Sequence, residues 1–284
     1  MEMNQPPNRN RRLNPSMPQW RRPPGVAAGT WQYVQQRAIA DHYDDFVADT
    51  PLCRLDSRLI LPLLSKQRSR ENNLPGAKEV PATILDLGCG SGRHSIALAA
   101  AGFRVIAVDL SQPMLQTLRR KLDQQATGVL VHPLRGNLVQ LGFLANQSAD
   151  AAICLFSTLG MVQTQPARRE VLRHVARTVR AGGLFVLHVH NRWAALREPR
   201  GFRRLARSAL DAWRTAEGEF GDAVYAYRGL DEMFMHRYSR RELVADLRHS
   251  GWSIQQMHRV SIDGSRFETG ARICGGFIAV CRRD

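Results

Sequence analysis

Three glycines on alternate positions punctuate the run Ile84-Leu85-Asp86-Leu87-Gly88-Cys89-Gly90-Ser91-Gly92, just where a short apolar stretch ends. A helical segment follows, then a second apolar stretch, Val105-Ile106-Ala107-Val108, which closes on Asp109. This order of strand, glycine turn, helix and acid-terminated strand is that of a βαβ unit that holds a nucleoside. The glycines let a ligand approach the backbone, and the acid accepts from ribose hydroxyls. Arg93 stands where a dinucleotide fingerprint needs its third glycine, so no pyrophosphate cradle is expected. Asp86 argues the same way. A carboxylate beside the turn suits a cationic ligand, such as a nucleoside carrying a sulfonium and an amino-acid group.

The rest of the chain can be read around this unit. Thr30 to Ala48 reads as one helix and Leu55 to Lys66 as another, with a polar loop over 67–80. Thr83–Leu87, Arg104–Val108, Val129–Pro133, Asp150–Phe156 and Leu184–Val189 read as strands. Between them lie helices over Arg93–Ala101, from Ser111 onward and over Arg168–Arg180, the last broken by Gly182-Gly183. Past Asn191 the alternation stops, and 192–237 reads as a partly helical, basic interpolation. It resumes with a helix over Ser239–Ser250, opened by a Ser239/Glu242 capping box. Trp252–Ile262 and Ile273–Cys281 close the chain as an antiparallel pair.

From Leu85 to Gly92, together with Asp109, the chain resembles the class I S-adenosylmethionine-dependent methyltransferases. The likeness extends over about residues 80–191 in sequence and 239–283 in order of elements. It implies an α/β, doubly wound, Rossmann-like seven-stranded methyltransferase sheet, with N-terminal helices, a basic insertion after strand five and S-adenosyl-L-methionine as cofactor. The corresponding divisions are a disordered basic tail (1–28), a helical lid and linker (29–80) and a catalytic domain (81–284) with a substrate-facing insertion at 192–238.

The cofactor residues implied are Asp86 under the methionine amino group, directly or through water, with Gly88, Cys89 and Gly90 in the turn. Asp109 takes the ribose hydroxyls. Leu110 and Met114 pack on the adenine, with core packing the alternative for Met114. Asn137 replaces the family's usual Asp after strand three; it either accepts from the adenine amino group or serves as a turn residue. Phe156 ends strand four on the same rim.

Two histidines, His188 and His190, share one face of strand five and end it together with Asn191. One of them is a candidate to deprotonate or orient an acceptor; the alternative is packing for His188 and capping for His190. No carboxylate lies at ligand spacing, so no metal is expected. The run Met235-His236-Arg237-Tyr238 is similar to the end of the insertion in the methyltransferases that finish wobble uridines of tRNA. On that likeness Tyr238 stacks on a base and Arg237 holds a phosphate, or the run staples the insertion to the core. His236, Arg237 and Tyr238 thus join Tyr43 (a lid over the cofactor, or helix packing) and Arg192, Arg203, Arg204 and Arg207 of the basic cluster as candidate substrate contacts.

The formal charge of +15 is carried by arginine, the only lysines being Lys66, Lys78 and Lys121. Guanidinium forks suit phosphates, which points to RNA as acceptor; a small metabolite is the alternative if the arginine reflects composition alone. A non-catalytic basic RNA-binding protein with a nucleoside pocket, and a dinucleotide oxidoreductase, are competing classes; the former is opposed by the intact Asp86, Gly90 and Asp109, the latter by Arg93. No stretch approaches the roughly 18 apolar residues of a membrane span, and the N-terminus has no apolar core, so neither a membrane partner nor a secretory signal is expected. The five cysteines form no CxxC pair and suit a reducing, cytoplasmic compartment. Oligomeric state is left open.

Overall fold

The apolar runs become the strands of one sheet, and the polar segments between them become the helices that cover it. The computed structural model describes residues 22–72, 81–125, 130–215, 218–270 and 273–284. Most of the expected tail and the end of the 67–80 loop lie outside the described residues. In chain order the elements are α1 (Ala28–Gln35), α2 (Arg37–Asp41), α3 (Tyr43–Ala48), α4 (Pro51–Asn72), β1 (Thr83–Leu87), α5 (Arg93–Ala100), β2 (Arg104–Asp109), α6 (Gln112–Asp123) and β3 (Val131–Arg135). There follow β4 (Ala149–Cys154), α7 (Gln165–Thr178), β5 (Val179–His190), α8 (Gly201–Arg214), β6 (Asp222–Tyr227), β7 (Leu230–His236), α9 (Arg240–His249), β8 (Trp252–Val260) and β9 (Gly276–Arg283).

The sheet order is β3-β2-β1-β4-β5-β9-β8. β1 to β5 are parallel, and β9 runs antiparallel to both β5 and β8. Apolar clusters fill both faces. One holds Leu87, Phe185 and Trp252, the other Ile84, Phe103 and Ile278. This is the doubly wound, Rossmann-like sheet that the alternating pattern implies.

Several boundaries differ from the sequence reading. The expected helix over 30–48 is three short helices, broken at Gln36 and His42. A straight helix of that length would extend about 28 Å; the breaks let Thr30, Tyr33, Val34, Tyr43 and Phe46 all border one cavity instead. α4 begins earlier than expected and extends to Asn72. The pair Gly182-Gly183 does not break a helix but forms an irregularity inside β5, where register shifts against β4. A Cβ at Gly183 would lie 2.5 Å from the Asp150 carbonyl oxygen.

The segment 192–238 is more than a basic helical interpolation, because β6 and β7 form an antiparallel hairpin. Its turn, Arg228-Gly229, has positive φ at both residues (49° and 82°), the geometry of a type I′ turn. The segment leaves and rejoins the sheet at one place. Tyr238 N donates to His190 O at 2.8 Å, and Arg192 N donates to Tyr238 O at 2.9 Å.

Arg93, at the start of α5, has a structural task. Its guanidinium donates to both Asp56 oxygens (2.9 and 3.2 Å) and to the Cys53 carbonyl (2.7 Å), clamping α4 to the glycine turn. Asp56 is fully buried. Burial raises its pKa, but hydrogen bonds from His94 and Arg93 outweigh this and hold the carboxyl below its usual range. Asp56→Ala would strand the guanidinium and should lower stability by about 2–4 kcal/mol, measured as a shift in the urea unfolding midpoint at constant slope.

Candidate active site

The five parallel strands end around one cavity of about 320 Å³. Gly88 follows β1, Asp109 ends β2, Asn137 follows β3, Phe156 follows β4 and His190 ends β5; all five border it. Ligands of open α/β sheets bind at this edge.

The base of the cavity is built from the backbone. Gly88, Gly90 and Gly92 have φ of 71°, 55° and 86°, a conformation that side chains disfavour. A Cβ at Gly88 would lie 2.3 Å from Thr158 Cγ2, and one at Gly92 would lie 2.2 Å from Leu118 Cδ1. The turn so formed aims Gly90 N at Asp109 Oδ2 (2.8 Å), while Ser111 N donates to Oδ1 (2.7 Å). The carboxylate is thus held between two amides, with burial raising its pKa. Leu110 and Met114 continue the same wall.

Two other turn residues stand back from the cavity. Asp86 is buried and accepts from Ser95 Oγ at 2.6 Å, its pKa raised by burial. Cys89 packs into the core, and burial likewise raises its thiol pKa. Asn137 borders the cavity, but its carboxamide has protein partners: Oδ1 accepts from Val139 N (3.2 Å) and Nδ2 donates to Pro24 O (2.9 Å). After β4, Phe156 and Ser157 have φ of 52° and 62°. Two consecutive left-handed non-glycine residues store about 1–3 kcal/mol each, and this turn presents the Phe156 ring to the cavity.

The roof combines the N-terminal helices with the hairpin. Thr30, Tyr33, Val34, Tyr43 and Phe46 come from the former; Tyr225, Tyr227, Met233 and Met235 come from the latter. α1 approaches β7 so closely that a Cβ at Gly29 would meet the Glu232 carbonyl oxygen at 1.8 Å. α3 is tied to the glycine turn by Ser91 Oγ, which donates to Asp44 at 2.6 Å, and by the Lys121–Asp44 ion pair. The hairpin residues were missed from the sequence. The aromatic- and methionine-rich runs on either side of Arg228-Gly229 were the available signal.

Of the strand-five trio, only His190 borders the cavity. Its pKa is pushed down to about 4 by burial, with Arg237 adding to the effect. His188 lies beneath it, ring centroids 5.1 Å apart, and burial lowers its pKa to about 3. Asn191 turns away. Its Nδ2 donates to Cys274 O (2.8 Å) and its Oδ1 accepts from Trp193 N (3.2 Å), which makes it a local cap and not a group facing an acceptor.

Among the eight expected substrate contacts, Tyr43 alone borders the cavity. Arg192 is buried against Glu242, its pKa lowered by burial to about 10. The fully buried His236 sits 2.7 Å from both Asp222 Oδ1 and Glu242 Oε1; burial lowers its pKa while the Asp222 hydrogen bond opposes this. Tyr238 is fully buried beside Arg168, so it cannot stack on a base. Arg237 and Arg204 both pair with Glu198, and Arg203 and Arg207 lie on the exposed side of α8. Charge compensation by Glu198, Asp222 and Glu242 thus takes up Arg192, His236 and Arg237. Glu219, His236 and Glu242 also bring ligand atoms within 4.8 Å of one another. Arg168 and Arg192 already supply positive charge to those carboxylates.

The cavity fits an adenosyl sulfonium. It combines a rigid carboxylate, a glycine backbone cradle, aromatic walls able to face a cation, and the buried Thr30 hydroxyl, which has no partner among the described residues. Residues 84–183 match the family model described as "Methyltransferase domain". Residues 84–183 therefore carry a methyltransferase domain, on a seven-stranded order like that of the S-adenosylmethionine-dependent methyltransferases.

The chain is 39% identical over 102 residues to a cypemycin N-terminal methyltransferase from a Streptomyces species, covering 36% of this chain and 39% of that protein. It is 35% identical over 104 residues to the demethylmenaquinone methyltransferase of Clavibacter sepedonicus, covering 37% and 39%. The match therefore spans about two-fifths of these relatives. Among solved structures, a SAM-dependent methyltransferase from Methanosarcina mazei shares the fold, with a TM-score of 0.57 and 20% identity over 72% of this chain and 94% of that one.

Two outcomes follow from this geometry. Asp109→Ala should weaken S-adenosylmethionine binding by about 1–3 kcal/mol in calorimetry; unchanged affinity would place the cofactor elsewhere. The paired histidines should make the fold acid-sensitive. Their native pKa values lie below the unfolded value of about 6.5, so the unfolded chain binds more protons and stability falls as pH drops from there toward 4. At pH 5 the loss is about 2 kcal/mol per ring, and His188→Gln should remove about half of it in denaturant titrations at pH 5 and 7.5.

Proposed function

We propose that this protein transfers the methyl group of S-adenosylmethionine to a small, largely apolar acceptor that enters beneath α1, α3 and the hairpin. The observation that carries this reading is the wall of the cavity beyond the strand ends. It is made of Tyr33, Tyr225, Tyr227, Met161, Met233 and Met235, with no arginine or lysine among its described lining residues. A phosphate-bearing acceptor would find no guanidinium there, because Arg192 and Arg237 face Glu242 and Glu198. The named relatives act on the cypemycin N-terminus and on demethylmenaquinone, and neither acceptor is a nucleic acid.

On this reading Gly88 and Gly90 give the cofactor room, Asp109 holds its ribose, and Met114 and Phe156 border its base. When bound, the cofactor supplies a methyl group already activated on a sulfonium, so the protein's part is placement and exclusion of water. The aromatic roof excludes water. His190 is neutral at neutral pH, so one of its ring nitrogens can accept a hydrogen bond from the acceptor. It orients the acceptor's lone pair toward the methyl carbon. The acceptor's proton would be taken by the His190 imidazole, which would hold it only briefly because burial keeps its pKa near 4.

The test supplies purified protein with methyl-labelled S-adenosylmethionine and a cell extract, half of it treated with ribonuclease. Label should appear in solvent-extractable small molecules regardless of ribonuclease. Label in large molecules that vanishes with ribonuclease would overturn the proposal in favour of RNA. His190→Ala should then lower kcat by roughly 10–100-fold while leaving cofactor affinity unchanged.

A further inference from the structure

Helix α8 presents an apolar stripe that the protein does not cover. Gly201, Leu205, Ser208 and Ala212 form the face packed against the body of the molecule. At about 100° per residue, Phe202, Ala206, Ala209 and Trp213 form a second line, roughly a quarter-turn away, and all four are exposed. Phe202 is 76% and Trp213 82% exposed, at opposite ends of the helix, and Leu210 extends the stripe toward the next face. That next face carries Arg203, Arg207 and Arg214 in one row. Arg203 and Arg214 have no acidic partner among the described residues, and Arg207 makes only a 3.9 Å contact with Asp211. Just before the helix, Arg197 and Arg200 add charge.

We propose that α8 is a docking surface for an anionic lipid bilayer, lying in the plane of the interface with Phe202 and Trp213 among the acyl chains and Arg203, Arg207 and Arg214 on the headgroups. A helix with aromatic and aliphatic residues on one face and arginines beside them binds membranes in this way, through apolar burial and attraction to anionic lipid. The choice of a bilayer over a nucleic acid rests on the shape of the stripe. It is a convex line with two small alanines between terminal aromatics, whereas single strands bind in grooves that track the backbone. No described helix is long and apolar enough to cross a membrane; the association is peripheral. It adds a membrane contact that sequence reading alone did not anticipate, and it does not depend on the acceptor assigned to the cavity.

The experiment is co-sedimentation of the full chain with vesicles of phosphatidylcholine alone or mixed with phosphatidylglycerol. The protein should bind the mixed vesicles, with a blue shift in tryptophan emission that Trp213→Phe diminishes. The pair Phe202→Ser and Trp213→Ser should weaken binding by roughly tenfold or more without altering S-adenosylmethionine affinity, which verifies the fold. Arg203→Glu with Arg207→Glu should abolish the preference for anionic vesicles. Binding insensitive to the serine pair would trace it to general basicity and overturn the proposal. So would absence of binding to either vesicle, loss of a self-associated species in the serine pair without vesicle binding, or RNA binding that needs the stripe where vesicle binding does not.

Discussion

The carboxylate of Asp109 joins the two halves of the glycine unit, and the cavity depends on how it is held. Gly90 N and Ser111 N each take one oxygen, so the turn after β1 and the start of α6 are locked to the end of β2. Gly90 N can point that way only because Gly88, Gly90 and Gly92 accept positive φ. The turn is braced from behind as well, by Leu118 against Gly92, Thr158 against Gly88 and the Arg93–Asp56 clamp. A buried carboxylate gripped by two amides keeps its orientation without a ligand, so little ordering remains when one binds.

Such a site is legible in sequence because backbone geometry admits few residue types. Only glycine fits the turn at Gly88 and Gly92, and Asp109 must end a strand at a fixed distance from them. The roof obeys no comparable constraint. Any large apolar side chain could border the cavity from α1, α3 or the hairpin, and Tyr33, Tyr225, Tyr227 and Met233 carry no spacing that marks them. The hairpin itself is readable from Arg228-Gly229 between two aromatic- and methionine-rich runs, whereas the arginines around it suit a helix or a nucleic-acid contact.

The arginines show the opposite failure, in which residues that look functional are structural. Arg192 meets Glu242, beyond the far end of the insertion, and Arg237 meets Glu198 across 39 residues of chain. Such partners cannot be paired from a single sequence, whereas the local Ser239/Glu242 capping box can. Glu242 then does double duty, capping α9 and receiving Arg192 and His236. Arginines so compensated make the insertion rigid at its junction with the sheet. On α8, Arg204 pairs with Glu198 and Arg207 reaches only Asp211, while Arg203 and Arg214 have no acidic partner among the described residues.

The roof and the base are fastened unequally. α1 meets β7 by direct backbone approach at Gly29, and Arg228 lies 4.3 Å from the Phe46 ring centre, so helices and hairpin form one cover. That cover is held to the glycine turn largely by the polar group of Asp44, Ser91 and Lys121, whose charged members are partly exposed. The hairpin, by contrast, is anchored to α9 by the buried network around His236, which joins Asp222 and Glu242. Partly solvated ion pairs cost little to break, while buried ones left half-paired cost several kcal/mol. Opening should therefore begin at α3 above the glycine turn, exposing the cofactor end of the cavity while the hairpin side, where the acceptor is assigned, stays assembled.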